Sequence, residues 1–223
     1  MSVKVKKRKF NLKKKTLRTL FFGIEEKKKE TGKLSEKQEE ILEHGLIYIQ
    51  MRLPVEKITE EFETNLKARI EHKIYNAKIR VATEKDLECV KDIYNRSWLT
   101  SNTPFRPIDK DTLQKIFEDP DSAFLIAKTY GTDGGFVILD FEGENNEFGV
   151  IAGLGILPRF QRKGLGTVLG LAAWNYFKKR GLKELRCEVY KDNHASYKFI
   201  KGLQFEEFGR KTYRREDFLL DKQ

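Results

Sequence analysis

Phe148 to Thr167 reads FGVIAGLGILPRFQRKGLGT, and the fold turns on how this stretch is interpreted. Residues 148 to 158 carry no charge, which predicts a strand buried on both faces. Gly149, Gly153 and Gly155 interrupt it. Glycine weakens a strand, so its repeated use signals a bulge or the close approach of a ligand. Pro158 stops the pairing, and Gln161-Arg162-Lys163-Gly164-Leu165-Gly166 then runs directly into a predicted helix. The start of a helix offers unpaired N–H groups and the positive end of its dipole. Gly164 and Gly166 allow a phosphate to approach the backbone, while Arg162 and Lys163 add positive charge. The segment is an anion-binding turn suited to a phosphorylated ligand. It is neither GxxxxGK[ST] nor GxGxxG, because Leu169 and Pro158 stand where the last glycine of the second pattern would fall.

Working outward, the helix after the turn is predicted over about 164 to 180, ended by Lys178, Lys179, Arg180 and Gly181. Leu185, Cys187 and Val189 alternate with Glu184, Arg186 and Glu188, a strand with one buried face. Cys187 is then a core thiol. A short helix at 194 to 203 and two strands, near 205 to 213 and 217 to 220, close the chain. Upstream, Ile79 and Val81 suggest a strand. Thr83 caps a helix with Leu87, Val90, Ile93, Tyr94 and Trp98 on its apolar side. A loop with Pro104 and Pro107 leads to a second helix from Asp109. A hairpin follows, its strands at 123 to 130 and 136 to 141 around Gly131-Thr132-Asp133-Gly134-Gly135.

Gln161-x-x-Gly164-x-Gly166, after a glycine-containing apolar strand ending Ile156-Leu157-Pro158, resembles the Q/R-x-x-G-x-G/A acetyl-CoA motif of the GCN5-related N-acetyltransferases. The order strand, helix, helix, hairpin, glycine strand, helix, strand, helix, strand is similar to that family over roughly residues 77 to 220. The resemblance implies the GNAT fold, an α/β (α+β) arrangement with a mixed central sheet flanked by helices. It implies acetyl-CoA as donor, its pyrophosphate held by Gln161, Arg162, Lys163, Gly164, Leu165, Gly166 and Thr167. Its pantetheine arm would lie along Leu154, Gly155 and Ile156, with Asn193 hydrogen-bonded to it. Phe105 and Arg106 would face the acceptor.

The chemistry the resemblance implies is direct transfer to a neutral amine. The developing oxyanion needs a donor, which the Ile156 N–H would supply. Many members place an acidic tyrosine seven residues after the asparagine, but here that position is Ile200, and Gln204 replaces the glycine usual before the terminal Phe205. Tyr197, one turn before Ile200, is the candidate acid, and Glu147 at the head of the glycine strand is the candidate base. His194 reads as a surface residue. The acceptor is left open: a protein N-terminus, a lysine or a small-molecule amine. A catalytically weak acetyl-CoA-binding or sensor module is the alternative.

The rest of the 223 residues bound this picture. The apolar fraction of 39% excludes a wholly disordered chain. No run of 18 apolar residues occurs, so no membrane-spanning helix is expected, and no secretory signal is apparent. Cys89 and Cys187 are the only cysteines, which excludes a disulfide scaffold or a four-cysteine metal site and makes the cytoplasm the default compartment. No metal is expected. The net charge is +10, and residues 1 to 18 hold nine basic side chains and no acidic one. Residues 1 to 33 therefore read as a basic, flexible tail that can meet RNA, DNA or the ribosome. A nucleic-acid-associated protein led by this region is a further reading. Residues 34 to 76 read as a helical hairpin extension. Ser35 and Gln38 form its capping box, and Val55, Ile58, Phe62, Leu66, Ile70 and Ile74 form one apolar stripe. That stripe would dock on the enzyme domain, residues 77 to 223, or on a second copy in a homodimer.

Overall fold

The computed structural model describes residues 12–71 and 77–222. Seven strands form one sheet in the order β2-β3-β4-β5-β6-β1-β7. In chain order the elements are α1 (Leu12–Thr31), α2 (Glu36–His44), β1 (Leu46–Pro54), α3 (Glu60–Glu71), β2 (Lys78–Val81), α4 (Leu87–Trp98), α5 (Lys110–Phe117), β3 (Ala123–Thr129), β4 (Thr132–Glu142), β5 (Phe148–Ile156), α6 (Leu165–Phe177), β6 (Glu184–Tyr190), α7 (His194–Gly202) and β7 (Glu206–Tyr213). From β2 to β7 this is the predicted order.

The hairpin turn is tighter than predicted. Tyr130 and Gly131, at φ 48° and 75°, form a two-residue loop, and residues 132 to 135 belong to β4. Two positive φ values match the right-handed twist of the flanking strands. Gly181 at φ 64° follows the last turn after α6, as anticipated.

β5 is the hinge of the architecture. It is antiparallel to β4 but parallel to β6, and the β5–β6 pairing covers only Phe148–Val150 against Glu184–Arg186. Past Val150 the two strands are no longer paired, so the sheet opens into a cleft between them. A bulge sits on β5: Ile138 faces Gly153 and Leu139 faces Ile151, leaving Ala152 as the extra residue. Burial alternates along β5. One face is fully buried and the other half-buried, rather than both fully buried, because the second face lines the cleft.

The N-terminal third departs from its predicted form. Residues 12 to 31, read as part of a flexible tail, form a 20-residue helix with Leu12, Leu17, Leu20, Phe21 and Ile24 buried. They fall at helical spacing; Leu17, Leu20, Phe21 and Ile24 pack with Ile41, Leu46, Tyr48, Tyr190, Tyr213 and Phe218, while Leu12 joins the cluster of Tyr94 and Phe136. Apolar burial outweighs the self-repulsion of the lysines on the opposite side. Residues 1 to 11 lie outside the described residues.

The hairpin predicted for residues 34 to 76 is a helix, a strand and a helix. The Ser35–Gln38 capping box is present. Leu46–Pro54, however, form β1, which lies between β6 and β7 and is antiparallel to both. Leu46, Tyr48, Ile49, Met51 and Leu53 are buried, since a central strand is covered on both faces. β1 is thus part of the one sheet, and a boundary at residue 76 does not separate two cores. The stripe on α3 does dock on the remainder of this chain: Phe62 and Leu66 are buried, and Glu63 accepts from Trp174 Nε1 and Lys178 Nζ, both at 2.8 Å. The side chain of Ile70, and Ile74, lie outside the described residues. The strand predicted near 217 to 220 is instead a 3-10 turn over Arg215–Lys222. Phe218 docks there against Phe21 and Tyr213, at ring separations of 5.7 and 6.4 Å.

Candidate active site

Two neighbouring cavities occupy the cleft. The larger, about 460 Å³, is lined by Leu154, Gly155 and Ile156 of β5, by Gln161, Arg162, Gly164, Gly166 and Thr167 of the turn, and by Asn193 and the inner side of α7. The smaller, about 140 Å³, lies between β5 and β6 under α1. Trp98, Leu154, Asn193, Ser196 and Phe199 line both, so the two spaces share a wall.

The turn has the geometry its sequence suggests. Gly164 is the N-cap of α6 at φ 89°, a left-handed conformation that costs an L side chain about 1–2 kcal/mol. Arg162, at φ 58°, adopts one as well, strain of the kind that gathers at ligand sites. A Cβ on Gly166 would come within 3.1 Å of the Phe199 ring, so the absent side chain lets α7 close against α6. Gly164, Gly166 and Thr167, at the start of α6, line the larger cavity, and a helix start leaves its first N–H groups without intrahelical partners. Gln161 Nε2 donates to Ile156 O at 3.0 Å and to Thr100 Oγ1 at 3.1 Å, tying the turn to the end of β5 and to the loop after α4. Lys163 is exposed and Leu165 is buried in the core. Neither side chain lines the cavity, and their part there is limited to the backbone.

Asn193 is the N-cap of α7, its Oδ1 accepting from Ser196 N at 3.0 Å while its Nδ2 donates to Thr103 Oγ1 at 2.8 Å. It therefore holds the loop between α4 and α5 against the end of β6. Phe105, in that loop, lines the smaller cavity. Arg106 turns to α1, where Nη1 donates to Thr19 O at 3.4 Å and lies 3.9 Å from Glu26. Its predicted position facing an acceptor is taken by that helix.

Neither proposed catalytic side chain reaches the cleft. Tyr197 is on the side of α7 away from it and donates to Glu207 of β7. That carboxylate raises the phenol further above its ordinary value. Glu147 precedes β5 at the opposite end, where it accepts from Asn145 N. At about 3.3 Å per strand residue it lies roughly 25 Å from Leu154–Ile156. Glu147 and Tyr197 are corrected to turn and surface roles. Ile200 is buried and His194 is exposed.

Two charged groups in the cleft, Glu188 and Lys13, were not candidate site residues in the sequence reading. Glu188 of β6 is the one carboxylate among the described residues of the smaller cavity. It accepts from Tyr213 Oη at 2.9 Å and Gln50 Nε2 at 3.3 Å, and pairs with Lys13 Nζ at 3.2 Å. Burial pushes its pKa up, but Lys13 and the Tyr213 hydroxyl outweigh this and hold it below the ordinary value. Lys13 also donates to Glu188 O at 3.1 Å and sits 4.1 Å from the centroid of the Tyr48 ring. Burial lowers its pKa against the opposing pull of Glu188. Cys187, buried beside them, is pushed up to about 12 and is inert, as its strand position predicted. The alternation of Glu184, Arg186 and Glu188 assigned all three to solvent; Glu184 is instead buried and the other two half-buried, and nothing local shows that α1 covers Glu188.

The parallel β5–β6 pair thus ends at Val150, and the start of α6 stands beside the gap that follows. The family model described as "Acetyltransferase (GNAT) family" matches residues 88–205, just over half of the chain. The chain belongs to that family. A mycothiol acetyltransferase of Rhodococcus erythropolis is 39% identical over 67 residues, 30% of this chain and 22% of the relative. An uncharacterised N-acetyltransferase of Methanocaldococcus jannaschii is 27% identical over 143 residues, 58% of this chain and 60% of the relative. The chain thus spans less than two thirds of the length of either. Among solved structures, an aminoglycoside N-acetyltransferase in complex with CoA shares the fold at a TM-score of 0.52 and 21% identity, over 63% of this chain and 94% of that one. Among the described residues, no helix is long and apolar enough to cross a membrane.

Proposed function

We propose that the protein moves an acetyl group from acetyl-CoA directly to the nitrogen of an amine. The observation that carries this is the Gln161–Thr167 turn opening onto a 460 Å³ cavity beside the unpaired end of β5. The first-turn N–H groups of α6 would hold the pyrophosphate, with Arg162 adding charge, and the β5 edge at Leu154–Ile156 would take the pantetheine arm. The Ile156 N–H there would meet the carbonyl oxygen as it gains charge. The acceptor enters the smaller cavity, where Glu188 replaces Glu147 as the candidate base. A protein N-terminus, a lysine and a small-molecule amine all remain within this class.

The test is calorimetry with acetyl-CoA followed by release of coenzyme thiol on a panel of amines. Saturable binding with amine-dependent thiol release supports the reading. Binding without release on any amine favours a sensor module, for which the observation is that no tyrosine or carboxylate lines the larger cavity among the described residues. No binding overturns both.

A further inference from the structure

Lys13 has no role in the activity described so far, yet its amine occupies the place where an acceptor would be wanted. It stands near the start of α1, and its side chain passes between Tyr48 and Glu188 into the smaller cavity. The exposure of that side chain is 19%. The nitrogen is held by two oxygens of one residue, at 3.1 and 3.2 Å, with an aromatic face 4.1 Å away. Leu12 and Leu17 are buried on either side of it in sequence, so the segment is anchored. Leu154, whose strand edge would carry the donor's arm, lines the same cavity as Lys13. Of the titratable groups packed here, Tyr48, Tyr94 and Cys187 are kept neutral by burial, and Glu188, 3.2 Å from the Lys13 nitrogen, is the one carboxylate of this cavity among the described residues and so the group placed to accept its proton.

We propose that Lys13 is an internal acetyl acceptor: bound acetyl-CoA modifies the Nζ of the chain's own α1. This rests on the acetyl-transfer reading above and names one acceptor for the same site. The ammonium gives a proton to the Glu188 carboxylate. The neutral nitrogen attacks the thioester carbonyl, an N–C bond forms and the C–S bond breaks. The thiolate takes the nitrogen's second proton, leaving Nζ-acetyllysine and coenzyme A thiol, and Glu188 returns its proton to water. The product has lost the charge that paired with Glu188, so acetylation removes the ion pair that fixes the start of α1 to β6.

The full chain is incubated with acetyl-CoA and no added amine, and each lysine's acetylation is followed by peptide mass spectrometry. Calorimetry on the same sample measures acetyl-CoA binding. The proposal expects Lys13 to be labelled well before its neighbours Lys14 and Lys15, at a rate that does not change with protein concentration. Glu188→Gln should slow that labelling about a hundredfold, the usual scale for a lost general base, while acetyl-CoA still binds and so reports an intact fold. Lys13→Arg keeps a charge against Glu188 and should bind acetyl-CoA as before. Binding without selective label on Lys13, or labelling whose rate rises with protein concentration, overturns the internal acceptor and leaves the acetyl-transfer reading standing. Absence of binding overturns both.

Discussion

At the scale of single residues, backbone conformation and ion pairing decide most. Gly164 carries a left-handed φ at the mouth of the larger cavity. Gly164→Ala should cost about 1–2 kcal/mol of stability from that conformation alone, measurable by denaturant unfolding. Gly164→Glu also places a carboxylate where phosphate is proposed to sit, so calorimetry should find acetyl-CoA binding abolished in a variant that still folds. Away from the cleft, Arg80 makes a two-pronged contact with Asp86 at 2.7 and 2.8 Å. The guanidinium holds the Asp86 carboxyl well below the usual carboxylate range, against the upward pull of burial. A depressed folded pKa gives stability that is complete above the unfolded value of 3.8 and is lost as pH falls below it. Asp86→Asn should therefore lower stability at neutral pH by roughly 1.5–3 kcal/mol. Melting temperatures of the variant and the parent should converge toward pH 2. A constant gap would show that the pair is not the source.

At the scale of elements, α1 and α3 show what was legible in the chain and what was not. The order and kind of the elements from β2 to β7 followed from local signals: caps, glycine turns, alternation, and the Gln161–Gly166 motif. The stripe on α3 was equally readable, and Phe62→Asp should lower the melting temperature through lost packing against α6. α1 was concealed because nine cations in 18 residues dominate any count of charge, while Leu12, Leu17, Leu20, Phe21 and Ile24 mark a helix only when read by spacing. Phe21 is fully buried, so Phe21→Ala should cost about 3–5 kcal/mol; a variant of parental stability would show that α1 is not packed in solution. β1 could not be foreseen at all. Its apolar run suits a helix or a strand, and only pairing with β6 and β7, far along the chain, resolves the choice. The same cause hid Glu188, whose burial depends on α1. Tyr197 is the sequence candidate because it stands one turn before Ile200, and Glu147 because it heads the glycine strand; helix face removes the first from the cleft and strand length the second.

At the scale of the whole molecule, the charge and the core overlap at the N-terminus. Five of the nine early cations precede residue 12, and Lys13, Lys14, Lys15 and Arg18 belong to α1. Deleting residues 2 to 11 removes five cations and should weaken any salt-sensitive retention on RNA or DNA. Deleting residues 2 to 18 should in addition strip Leu12 and Leu17 from the core, at about 1.5–3 kcal/mol each, and open the smaller cavity. Equal melting temperatures for the two truncations would refute the distinction. The place of β1 in the sheet also has a bearing on how the chain is born. About 130 residues separate the end of β1 from the start of β6, its first neighbour in the sheet. At ribosomal speeds of about 5–20 residues per second, β1 waits on the order of ten seconds with both edges bare. The strand made first must wait for two partners that do not yet exist, and during that interval its apolar run is the part of the nascent polypeptide most in need of a chaperone.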